Sequence, residues 1–147
     1  MTTCTLCDLI NTVRNLRAMN IPVEEQLEAY TTWKTRELLA KYVITTDQYG
    51  LSTSEGRDVR KLWTFNYEQL VEHLRTHPER ADDYLTVSRK MKGIYDKDVL
   101  ESECGRYVLY SQDHSSRRSE RFYDDLFKAA ADWLTVQYGM WLHKQDV

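Results

Sequence analysis

The chain has 147 residues, with 20 Lys and Arg against 23 Asp and Glu, for a formal net charge of −3. That balance excludes a polycation coating nucleic acid without selectivity. At 41% hydrophobic and 29% charged, with five Gly and two Pro, the composition fits a soluble globular protein and leaves little turn chemistry for a many-stranded β fold. The expectation is a mainly α fold: one domain over residues 1–147, a compact bundle of five or six helices with at most one short extended segment near residues 106–111. No apolar run approaches the ~18 residues of a membrane span. The N-terminus lacks the basic and apolar regions of a secretory signal, and three Cys is an odd number for a disulfide framework. An intracellular, cytoplasmic protein is expected.

Leu6, Leu9, Ile10, Val13 and Leu16 recur at helical spacing and predict a first helix ending near Met19. Pro22 suits the first position of a second, with Glu24 and Glu25 at the positive end of its dipole. This helix is expected to continue to about Ile44, with Val23, Leu27, Tyr30, Leu38 and Tyr42 turned inward. After a loop over residues 47–54, Ser54 suits the N-cap of a third helix with Val59, Leu62, Trp63, Leu70, Val71 and Leu74 on one face, interrupted if anywhere at Asn66. Pro78 marks the next boundary, followed by a helix with Ala81, Tyr84, Leu85, Ser88, Met91 and Tyr95 on its apolar face and Gly93 at its C-terminal cap. Asp96–Glu103 reads as a short helix, and Arg106–Tyr110 is the one strand-like run.

The stretch Ser115–Lys144 reads as the central helix of the bundle. Turning ~100° per residue puts Phe122, Tyr123, Leu126, Phe127, Ala130, Trp133, Leu134, Tyr138 and Trp141 on one face. Arg121, Asp125, Lys128, Asp132 and Thr135 fall on the other. On this reading Ser116, Arg117, Arg118 and Arg121 crowd the first turn, where the dipole disfavours cations and free N–H groups already favour an anion. Those four residues are the candidate site for a protein partner's carboxylates or another anion. Asp113 and Glu120 offer local neutralisation instead.

Two metal readings compete with ordinary packing. Cys4-x-x-Cys7 has zinc-ligand spacing, with Cys104 and His114 as further ligands, although nine residues separate those two. His73 and His77 stand four apart on one helix, but the preceding Glu72 departs from the HExxH order. No phosphate loop, dinucleotide fingerprint or nucleophile elbow is present, and no catalytic residue or cofactor is implied. The functional expectation is a small intracellular regulatory protein, non-enzymatic, that binds a larger protein through an aromatic- and arginine-bearing helical surface. A viral or phage accessory protein fits that description. The alternative is a nucleic-acid-binding protein using the basic end of the last helix. A second alternative is an enzyme whose site leaves no sequence motif.

Overall fold

The computed structural model describes residues 21–42, 63–94, 97–114 and 116–138. The chain divides into two compact units, Met1–Phe65 and Asn66–Val147. The described residues hold five helices and a three-stranded antiparallel sheet, so the fold mixes α and β and is not the all-α bundle expected. None of these helices is long and apolar enough to cross a membrane.

In the first unit, α1 (Val23–Thr31) opens behind Pro22 and carries Glu24 and Glu25 in its first turn. Gln26 is buried but satisfied: its amide donates to the Ile21 carbonyl at 2.9 Å and to Thr64 Oγ1 at 2.8 Å, and its oxygen accepts from the Thr64 N–H at 2.8 Å. This clamp fixes the segment that carries Trp63 and Phe65, whose rings meet Tyr30 edge-on at 5.2 and 4.9 Å. The expected long second helix is broken. Thr31 and Thr32 bond back to the Leu27 and Glu28 carbonyls, and Trp33 turns left-handed at φ 61°. The Lys34 N–H then reaches the Ala29 carbonyl at 2.8 Å, the six-to-one bond of a Schellman turn. A shorter α2 follows (Thr35–Lys41), burying Leu38 and Leu39. The expected first helix, and the segment from Ser54 to Leu62, lie outside the described residues.

In the second unit, α3 (Tyr67–Thr76) does not run on from the preceding chain. Asn66 is its N-cap and forms a reciprocal capping box with Gln69, at 2.8 and 2.9 Å. Pro78 opens α4 (Pro78–Met91), and Gly93 takes φ 90° just past its end. The segment read as a short helix is instead β1 (Asp98–Glu103). Cys104 and Gly105, at φ 52° and 82°, make the two-residue turn into β2 (Arg106–Asp113). The strand-like run therefore has partners on both sides, β1 and β3 (Ser116–Tyr123), in the order β1-β2-β3. Only the later part of the expected central helix is helical within the described residues: α5 (Leu126–Gln137), capped by Asp125, which accepts from the Phe127 N–H at 2.9 Å.

Helix α5 lies across all three strands. Trp133 is 1% exposed, stacks on Tyr84 of α4 at 5.4 Å and donates its Nε1–H to the Asp98 carbonyl at 3.3 Å. Asp132 and Thr135, expected to face water, are buried. Tyr123 donates its hydroxyl to the Asp132 carboxylate, which makes that burial affordable. Along the outer edge of β1, the Leu100 N–H donates to Ser88 Oγ of α4, closing that edge to other strands. Trp133→Ala is expected to cost about 3–5 kcal/mol in urea unfolding, through lost burial and an unfilled cavity. A loss under about 1 kcal/mol would remove α5 from the centre of this unit.

Candidate functional site

Side chains alternate across a pleated sheet, so the register sorts them by face. Tyr107 pairs with Tyr123 and Leu109 with Leu100 and Arg121. Because Tyr123 reaches Asp132, these residues stand on the side that meets α5. Val108 pairs with Glu101 and Phe122, and Gln112 with Arg117, which puts them on the opposite face. That face is covered at Val99, Val108 and Tyr110, which are buried, and is exposed at Phe122 and Arg117. Residues 117 and 122 share that face despite their odd spacing because the β2–β3 ladder shifts register between Leu109 and Ser111. One extra residue in β3 forms a bulge, and Ser119 within it adopts φ 55°.

The bulge aims Arg117 into a frame of acids. Its guanidinium lies 2.8 Å from Glu103, 3.2 Å from Glu101 and 3.5 Å from Glu120, and 4.0 Å above the Tyr110 ring. Tyr110 donates its hydroxyl to Glu101 at 2.6 Å, and Lys92 reaches the same carboxylate at 2.8 Å. Burial raises the Glu101 pKa, but the hydrogen bonds from Lys92 and Tyr110, with the charges of Lys92 and Arg117, outweigh it and leave the carboxyl below its ordinary range. For Tyr110, burial acts first and the bond to Glu101 adds to it; the phenol is pushed up to about 12. Lys92, Glu101, Glu103, Tyr110 and Arg117 line a cleft of about 580 Å³ together with Gln112. Next to this frame, Phe122 is 46% exposed with the Arg106 guanidinium stacked 4.2 Å from its ring centre.

The residues singled out in the sequence fare unequally. Ser116, Arg117, Arg118 and Arg121 sit on a strand, so the conflict with a helix dipole does not arise. The bulge also splits them. Arg117 enters the cleft, whereas Arg118 and Arg121 pair with Ser111 and Leu109 on the other face. Arg118 forms an ion pair with Asp113, and Ser116 donates to the Asp113 carbonyl at 3.0 Å. Cys104, exposed, and His114 occupy the turns at opposite ends of the eight-residue β2. About 26 Å of strand separates them, so they are not brought together as ligands of one metal. Cys4 and Cys7 lie outside the described residues. The His73 and His77 rings stack at 4.4 Å, and Arg80 meets His73 Nε2 at 2.8 Å. Since a guanidinium only donates, that nitrogen accepts and is already occupied.

Sequence reasoning missed Glu101, Glu103, Arg106, Tyr110 and Phe122 as a group, because only the hairpin register assembles them. The available signal was the Cys104-Gly105 pair between two segments that carry β-branched residues. Comparison with protein-family models, curated proteins and solved structures finds no match to this chain.

The raised tyrosine has a signed consequence. With its pKa above the ordinary 10.0, Tyr110 contributes stability that is fully present below pH 10.0 and lost as pH rises toward about 12. The depressed Glu101 works the other way: its contribution is present above the ordinary carboxyl range and lost as pH falls through its folded pKa. Tyr110→Phe is therefore expected to flatten the alkaline fall in stability, measured by urea unfolding across that range. Parallel alkaline profiles for the two proteins would contradict the assignment.

Proposed function

We propose that this protein is a non-enzymatic interaction module that binds a larger protein or complex through the exposed patch around Phe122, Arg106 and Arg117 on the sheet face opposite α5. The carrying observation is the exposed Phe122 ring under the Arg106 guanidinium, beside the Arg117–Tyr110 stack. Aromatic and Arg side chains supply most hot spots at protein interfaces. Arg117 is already held by Glu101 and Glu103, so docking against it immobilises little that was mobile. Among the described residues strand β3 is an edge, but its bulge and three arginines discourage addition of another strand. Contact through side chains on the face fits these features better than β-augmentation.

The nucleic-acid reading draws less support. Arg117 and Arg118 face Glu101, Glu103, Glu120 and Asp113, and a phosphate would have to displace those carboxylates. Tagged protein recovered from its native cell tests the proposal. Phe122→Ala combined with Arg106→Ala is expected to lower recovery of a co-purifying protein at least about tenfold, the loss of one or two hot spots, with unfolding unchanged within about 0.5 kcal/mol. The control Val87→Ala, at another exposed apolar residue, is expected to leave recovery intact. Unchanged recovery in the double variant, or recovery abolished by nuclease, would remove the proposal.

A further inference from the structure

We propose that Ser119 is a phosphoryl-acceptor site, presented by the β3 bulge to a serine/threonine protein kinase that selects for arginine, and that its phosphate is then clamped by the neighbouring guanidinium groups. The proposal does not depend on the partner reading above.

Two other serines of the sheet are engaged: Ser116 donates to the Asp113 carbonyl at 3.0 Å and Ser111 to Asp98 at 2.6 Å. Ser119 is exposed, sits at φ 55° and falls where the ladder to β2 shifts register. A bulge residue is left out of the regular ladder, and among the described residues β3 has a strand neighbour on one side only. The Leu109–Arg121 and Ser111–Arg118 pairs flank the bulge, so an enzyme that reads an extended segment must part β3 from β2 on both sides of Ser119. Arg117 and Arg118 immediately precede the hydroxyl and Arg121 follows it by two. Guanidinium groups placed there are matched by carboxylates in the groove of a kinase that prefers basic substrates.

In the transfer, Ser119 Oγ forms a bond to the γ-phosphorus of ATP while the bond from that phosphorus to the β–γ bridging oxygen breaks. ADP leaves with the electron pair, and the hydroxyl proton passes to a carboxylate base of the kinase. The product carries about −2 charge within two residues of three arginines. It competes with Glu103 and Glu120 for Arg117, which those carboxylates hold at 2.8 and 3.5 Å. Phosphorylation is thus expected to draw Arg117 out of its acidic frame and leave Glu101 and Glu103 facing the cleft.

The test treats the folded full chain with a basic-directed serine/threonine kinase and ATP, maps the label by mass spectrometry, and titrates the phosphate by phosphorus NMR. The expected result is one phosphate per chain, on Ser119. Its second ionisation is expected about half a pH unit or more below that of the same protein in urea, because guanidinium groups favour the dianion. Arg117→Gln with Arg118→Gln is expected to slow labelling at least about tenfold, the equivalent of one charge-assisted contact in the kinase complex. Ser119→Asn, which tolerates the left-handed backbone and so keeps the bulge, is expected to take no label. Label on another serine, no label on the folded chain, undiminished label in Ser119→Asn, or a phosphate that titrates alike in folded and urea-unfolded protein would each overturn the proposal.

Discussion

A carboxylate cut off from water constrains the second unit. Asp132 is 1% exposed and lies on α5 between Ala131 and Trp133. A buried carboxylate costs several kcal/mol unless donors meet it. Tyr123 of β3 supplies one hydroxyl, and Tyr67 of α3 interacts with the same group. For both phenols burial is the main cause that raises the pKa, and the Asp132 charge and hydrogen bond add to it, so they stay protonated and able to donate. Strand β3 must therefore end with Tyr123 turned toward α5, and α3 must begin beside it. The next residue, Trp133, ties the same helix to β1 through the Asp98 carbonyl.

With Tyr123 fixed inward, strict alternation would bring Arg117 to the same side of the sheet. The bulge at Ser119 reverses that parity and sends Arg117 to the opposite face. There Glu101 and Glu103 of β1, Glu120 of β3 and the Tyr110 ring of β2 receive it. The mixed-charge cleft and the Arg106–Phe122 stack thus follow from two local features: a polar residue buried on a helix, and one extra residue in an edge strand. The bulge is also what discourages β3 from pairing with a further strand.

Much of the helical framework could be read from sequence. Pro22 and Pro78 open helices, Gly93 sits just past the end of α4, and Trp133 is buried at the middle of α5. The two edge strands were not legible. β1 contains three acids and one short apolar pair, too little to separate strand from helix, and the bulge interrupts the period-two pattern of β3. Phe122 and Tyr123 also fit the helical stripe that begins after them, so the projection extended α5 backward over a strand. Asp132 looked like a surface residue because its charge argued for water, and only the tyrosines brought to it by other elements explain its burial. The arginines were visible as a cluster, but their carboxylate partners come from β1 and the β2–β3 hairpin, and no local spacing could reveal them.

The central claim is that residues 116–123 form a bulged strand which delivers Arg117 and Tyr123 to opposite faces. Nuclear Overhauser contacts across the β2–β3 ladder measure this directly. The account predicts cross-strand contacts joining Val108 to Phe122 and Gln112 to Arg117, a register that slips by one residue at Ser119. Sequential amide–amide contacts running unbroken through residues 116–123, as in a helix, would contradict it.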